Sequence, residues 1–378
     1  MSRRLTERLL GADLPRSRPL AALLLLIFVA LLGAPLLFPG TVAYRTYSNI
    51  CVFVILAASY DMLLGYAATV SFAHGMFFGI GAYGVAIALQ HAAPGWAPIA
   101  LGLLAAAALS IMLALLVSVL SLRVKQIFFA MVTLAVASAF SITVSKLYAL
   151  TGGEDGLTLQ LPRLVSPLWR GPAAHGLDLA ASVASLLHAR PRMVVFSTHL
   201  GGGTLLYYLI FGCTLALFLL MLRIVNSPFG LVLTAIRENA LRAEALGYRT
   251  IRYLTLNNCL AALFATVAGA LYALSLQYVS VGDTLSFDLM VDIVLMTVIG
   301  GMGTLYGGVL GATLLAVAGS QLQSWLAAVH RTALGRVPVV GALLSGQRWP
   351  LWLGVLFVLS VYFFPRGIVG QLRARAER

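Results

Sequence analysis

Four ionisable side chains fall within or beside long apolar runs: Asp61, His74, Asp288 and Asp292. A charge at the centre of a bilayer costs about 2.5–3.5 kcal/mol even on lenient insertion scales, so residues of this kind point first to a solute or ion path. Asp288 and Asp292 share a helix face by their i,i+4 spacing, which also suits the wet headgroup zone at the outer end of a span. No second histidine or cysteine stands at ligand spacing from His74, and a hydrogen-bonded structural role fits it better than metal binding. Cys51, Cys213 and Cys259 lie in apolar segments without a CxxC pair and read as packing residues. The chain contains no HExxH, GxSxG or GxxxxGK[ST], which excludes those metalloprotease and hydrolase sites and a P-loop of its own.

Glycines form the second group. Gly79, Gly81 and Gly84 spell GxGxxG, but a dinucleotide site needs a preceding strand and an acid some twenty residues on, and here the next acid is Glu154. With Gly75 and Gly79 also forming GxxxG, close helix packing explains them better. Gly303, Gly307 and Gly311 repeat the four-residue spacing beside Gly300, Gly301 and Gly308. Glycine-interrupted spans in the two halves of a transporter mark the solute path. The candidate path residues are therefore Asp61, His74, Gly79, Gly81, Asp292, Gly303 and Gly307, weighed against plain packing.

The elements that position these residues follow from composition. The 378 residues are 61% hydrophobic and 10% charged, against roughly 25% charged in a soluble domain. Such a chain belongs in a bilayer. Apolar runs predict helical spans at 20–38, 46–65, 72–90, 97–120, 126–147, 204–222, 253–275, 287–301, 304–323 and 350–364, the first bearing a possible kink site at Pro35. The first run is too long for a signal peptide despite its basic flank. The fold class is thus an all-α integral membrane protein of about ten transmembrane helices; a β-barrel would alternate over shorter strands.

The net charge of +13 is distributed between spans rather than along one face, so it describes orientation and not nucleic-acid binding. With the N-terminus inside, sixteen of the 25 Lys and Arg are cytoplasmic: five before the first span, Arg123 and Lys125, five from Arg223 to Arg252, and four after Pro365. The expected organisation is a cytoplasmic segment 1–19, a membrane domain 20–364 with outer loops 149–203 and 324–349 and a cytoplasmic loop 223–252, and a basic cytoplasmic tail 365–378. Spans two to five and seven to ten then run oppositely, which permits an inverted repeat.

The loop from Ser227 to Arg252 is punctuated like a helix. Ser227 can cap it, Pro228 suits the first helical position and Gly247 the left-handed stop. Leu231, Ala235, Ala243 and Leu246 can supply an apolar side, with Glu238 and Arg242 as an i,i+4 pair opposite. A formed helix between two spans is a candidate docking element; a helix lying on lipid is the plainer reading.

Five motifs, in order, make the chain resemble the branched-chain amino acid permeases of bacterial ATP-binding-cassette (ABC) importers, in the subunit type often called M. They are LLGYAATVSFAHGMFFGIGAY (63–83), FFAMVTLA (128–135), TGGEDGL (151–157), AIREN with AEALG (235–247) and FFPRGIVG (363–370). The resemblance implies that Ser227, Pro228, Ala235, Arg237, Glu238, Asn239, Arg242, Ala243, Glu244 and Gly247 form coupling helices that seat in a groove of a cytoplasmic ATPase. It implies a second, related permease, two ABC ATPase subunits and a periplasmic receptor, in a bacterial inner membrane. No cofactor is expected on this chain, ATP being used by the ATPases. The chain departs from the wider loop pattern at Leu241, where that pattern has Glu, and is longer around 171–203 and 327–349. Similar permeases carry urea, amides or aromatic acids as well as branched-chain amino acids. An ion-coupled transporter or channel is the alternative; it would need acids deep in several spans, and the chain offers essentially Asp61 and Asp292.

Overall fold

Inside a bilayer no water takes up backbone N–H and C=O groups, so apolar runs of membrane length pair them internally as helix. The computed structural model describes residues 18–37, 41–121, 126–166, 202–330, 348–363 and 367–376. It is an all-α membrane protein. The helices are α1 (Arg18–Leu37), α2 (Thr41–Asp61), α3 (His74–His91), α4 (Trp96–Ser121), α5 (Gln126–Lys146), α6 (Gly202–Val225), α7 (Pro228–Glu238), α8 (Ala240–Ala245), α9 (Thr250–Leu276), α10 (Phe287–Gly300), α11 (Leu305–His330), α12 (Trp349–Phe363) and α13 (Gly367–Ala376). Each expected span coincides with one of them. Pro35 lies inside α1, two residues before its end. Arg123 and Lys125, the segments 167–201 and 331–347, and the terminal stretches 1–17 and 377–378 lie outside the described residues.

Burial separates a central layer from a lipid-facing one. The apolar stretch of α2 is 83% buried and that of α9 67%, whereas α5 is 17% buried. The exposed side chains of α4 and α5 are large and apolar, among them Leu101, Leu104, Met131 and Ile142. A surface of that kind is stable against hydrocarbon and not against water. The central helices approach at their backbones: a Cβ on Gly81 would meet the Thr266 carbonyl carbon at 2.6 Å, and one on Gly269 would meet the Phe78 carbonyl carbon at 2.7 Å. Only glycine permits that α3–α9 contact.

Two features depart from a simple row of spans. After α2 the chain makes a π-turn, Met62–Tyr66. Further on, the expected eighth and ninth spans are a bent pair, turning by 118° between Val281–Gly300 and Leu305–Gly319. Positive φ at Gly301 (121°) and Gly303 (79°) accounts for the break. At 14 residues, α10 is about 21 Å long, short of the roughly 30 Å hydrocarbon core. By length and composition, the described residues hold five helices able to cross a membrane, or up to 6 when the bent pair counts as one span.

The ends of α9 mark two groups of contacts. Near its start, Asn257 donates to the Met62 carbonyl at 2.8 Å. Just past its end, Leu157–Thr158 (β1) pairs antiparallel with Tyr278–Val279 (β2). From 257 to 277 a helix rises about 30 Å, so the two groups are one hydrocarbon thickness apart.

Candidate functional site

The chain leaves α6 through a tight turn. Asn226 Nδ2 donates to Leu222 O at 2.9 Å and Ser227 Oγ to Ile224 O at 2.6 Å. Ser227 thus occupies the cap position of α7 without capping it: its hydroxyl is spent on the helix behind. Pro228 takes the first helical position as expected. The single helix read from the sequence is two. Asn239 (φ −158°, ψ 98°) breaks it, and its side-chain oxygen accepts the Arg242 N–H at 2.9 Å, capping α8. Asparagine suits this position because its short amide can replace a backbone acceptor.

Two expectations change with this arrangement. Glu238 and Arg242 no longer lie one turn apart on one helix, which removes the expected i,i+4 register. The buried side is Gly230, Leu233, Ile236 and Ala243, while Leu231 (67%), Leu241 (80%) and Leu246 (72%) stand exposed, as does Ala235. Of the expected apolar side, only Ala243 faces inward.

The far end of α8 closes as a Schellman motif. Gly247 has φ 91°, its N–H donates to Glu244 O at 2.9 Å, and the Tyr248 N–H donates to Ala243 O at 3.2 Å. Glu244 Oε1 accepts from Thr250 Oγ, and Phe229 stacks on Tyr253 at 5.8 Å between centroids. Both contacts fasten the pair α7–α8 to the first turn of α9. The result is a well-formed helical elbow with exposed leucines between two spans.

One side chain of the elbow reaches back into the membrane body. Arg237 Nη1 donates to the Gly65 carbonyl, inside the π-turn. A π-turn releases carbonyls from their regular helical partners, and three of them find another. Met62 O accepts from Asn257, Leu63 O accepts from Thr69 N at 2.9 Å and from Thr69 Oγ at 3.1 Å, and Gly65 O accepts from Arg237. Beside them the fully buried Asp61 accepts the Gly303 N–H on Oδ1 at 2.8 Å. The hinge between α10 and α11 is further held by Thr304 Oγ, which donates to Gly301 O at 2.9 Å.

Asp61, Gly303 and Arg237 are therefore brought together. A Cβ on Gly65 would collide with Asp61 Oδ1 and the Gly303 nitrogen, and one on Gly303 would lie 2.9 Å from Arg237 Nη1. Three elements close on this point with no room for a side chain. His74 is elsewhere: fully buried at the start of α3, its Nε2 pairs with Ser59 Oγ at 2.9 Å and its ring leans on Tyr60 at 5.4 Å. Gly79 packs on Leu285, Gly81 on Thr266, and Gly307 on Gly300 and Gly301. Asp292 is partly buried on α10, with Asp288 exposed one turn before it.

Sequence reasoning passed over Gly65, Thr69 and Asn257. The signal for Asn257 was available, since two adjacent amides, Asn257 and Asn258, interrupt an otherwise apolar run, and buried amides need partners.

Comparison with known proteins adds the following. The family model for "Branched-chain amino acid transport system / permease component" matches residues 43–358. The chain is 26% identical over 364 residues to the high-affinity branched-chain amino acid transport system permease protein LivM of Escherichia coli K12, covering 93% of this chain and 76% of that protein. The corresponding Salmonella typhimurium LivM is 24% identical over 363 residues, with 94% and 76% covered. The E. coli K12 permease LivH is 23% identical over 340 residues, with 89% and 94% covered. No solved structure matches the chain.

Proposed function

Since the chain belongs to the branched-chain amino acid transport permease family, we propose that it is the translocating subunit of an ATP-driven importer for branched-chain amino acids or similar small solutes. The energy comes from two ABC ATPase subunits, the solute from a periplasmic receptor, and the other half of the path from a second, related permease. The observation that carries the reading is the elbow α7–α8, a helix pair between two spans, its second helix capped by Asn239, with Leu231, Leu241 and Leu246 exposed. Exposed leucines on a polar-flanked helix pair suit a groove in another protein.

In this reading the chain lies in a bacterial inner membrane with ten spans and both termini cytoplasmic. Segment 1–19 and tail 365–378 flank the membrane domain 20–364, with loops 149–203 and 324–349 outside and 223–252 inside. The contacts support that assignment. Gly65, Arg237 and Gly303 come from three segments all assigned to the cytoplasmic side, and β1 and β2 from two assigned to the outer side. An ion-coupled carrier is less well supported, because the buried Asp61 carboxylate is already engaged by the Gly303 N–H.

The mechanism follows from the connections of the elbow. Docked on an ATPase, α7 and α8 move with it, and α9 moves with them through Glu244–Thr250 and Phe229–Tyr253. The chain itself binds no cofactor and hydrolyses no ATP. The test is uptake of radiolabelled leucine, urea and phenylalanine into proteoliposomes carrying this chain alone or the complete set with second permease, ATPases and receptor. Accumulation only in the complete set, dependent on ATP and receptor, is expected. Accumulation by the chain alone under a proton or sodium gradient would establish the ion-coupled alternative instead.

A further inference from the structure

The elbow touches more than α9. Arg237 belongs to the exposed last turn of α7, yet its guanidinium ends on the Gly65 carbonyl and lies against Gly303. Gly303 sits in the hinge where α10 and α11 turn by 118°. Its N–H is held by Asp61, the last residue of α2. One arginine thus bears on two breaks in the helical order, the π-turn after α2 and the hinge before α11. Both breaks leave backbone groups that need partners, and a buried carbonyl or N–H left without one bears its full desolvation cost. The joint is therefore strong when made and costly when opened.

We propose that Arg237 is a positioning residue that latches the coupling elbow to the α10–α11 hinge, so that movement of the elbow is delivered to the hinge through Gly65, Asp61 and Gly303. This rests on the importer reading above, which supplies the movement. The route differs from the covalent one into α9. Motion passed to α9 goes along a continuous helix, whereas the latch acts on a break whose two helices can change their mutual angle. Glycine at 65 is required for closeness, since a methyl group there would stand 2.7 Å from Asp61 Cγ and collide with the Gly303 nitrogen, and glycine at 303 is favoured by its φ of 79°. A charged donor suits the Gly65 carbonyl because such hydrogen bonds are roughly twice as strong as neutral ones. It also places a cation beside the buried Asp61 without requiring a direct ion pair.

The experiment measures hinge movement rather than transport. In the assembled complex with its second permease and ATPases, spin labels are placed at the exposed positions Met302, in the hinge, and Leu256, on α9, with the three native cysteines replaced by serine. Distances are recorded before and after trapping with ATP and vanadate, and are read only for complexes that retain trapped nucleotide. A shift in the Met302–Leu256 distance is expected with Arg237 present. Arg237→Ala abolishes that shift, and Arg237→Lys, which still offers a charged donor, restores at least half of it. A residue that merely stabilised the fold would change the amount of complex and leave the shift per trapped complex intact. The latch is overturned by an equal shift in Arg237→Ala, or by no shift when Arg237 is present although nucleotide is trapped. Should Arg237→Ala not assemble, Arg237→Gln serves, its shorter neutral amide giving a reduced shift; an unreduced one overturns the latch. Failure of the unaltered chain to associate with ATPases at all would instead refute the importer reading.

Discussion

Truncating the exposed leucines in and just after α8 tests the docking surface quantitatively. In the chain alone, Leu241 is 80% and Leu246 72% exposed. Burying a leucine completely is worth about 1.5–3 kcal/mol, so docking that covers the exposed part gains about 1–2 kcal/mol per residue. Removing most of either side chain should then weaken ATPase association roughly 5- to 30-fold, at 1.4 kcal/mol per factor of ten. Leu241→Ala and Leu246→Ala are each expected to raise the Kd of the permease pair for its ATPase by that factor, measured in nanodiscs by titration with labelled ATPase. The double variant should exceed either single one. Thermal stability of the permease should be unchanged, because neither side chain packs in the isolated fold. Leu233→Ala is the converse control: buried beneath α7, it should lower stability by about 2–5 kcal/mol. Unaltered Kd values for both surface variants would refute docking through α8.

Three further outcomes are expected. An alkaline phosphatase fusion placed after Arg252 should be inactive and one placed after Val281 active, because the first lies beside the Arg237–Gly65 group and the second beside β2; the reverse pattern would overturn the orientation. Glu238→Lys should cut ATP-dependent uptake severalfold with the permease still in the membrane, as should Gly247→Pro, since proline cannot adopt the φ of 91° found there; uptake assays beside membrane immunoblots separate the two effects. Gly81→Ala should lower the melting temperature in detergent through overpacking of about 1–3 kcal/mol against the Thr266 backbone, and an unchanged melt would show that α3 and α9 can part without cost.

The helices themselves were legible in the sequence because membrane length and apolarity are local properties. So were Pro228 and Gly247, whose backbone preferences need no partner. Where tertiary contacts choose between local options, legibility ended. Asn239 can ride within a helix or cap a new one; here it caps, with Leu233 and Ile236 on α7 and Ala243 on α8 facing inward. The expected apolar side of Leu231, Ala235, Ala243 and Leu246 differs from the buried one already within α7, where Leu233 and Ile236 turn inward and Leu231 and Ala235 stay exposed, because the neighbouring spans and not the local period choose the face.

Asp61 marks the deeper difficulty. Its position in an apolar run announces a cost, and cost alone suggests a path for solute or ions. The fold gives that carboxylate another employment, as acceptor for an N–H released where α10 and α11 break, 242 positions away in the chain. Arg237 completes the arrangement across 172 positions. Each of these residues, taken singly, has an ordinary explanation: a buried acid, a surface arginine, a glycine turn. Their meeting depends on two helix irregularities occurring side by side, and irregularities are what periodicity cannot register. A charged residue in a membrane helix is thus best read together with the glycines elsewhere that could leave an amide unpaired, since the acid and the broken helix solve one another's hydrogen-bonding problem.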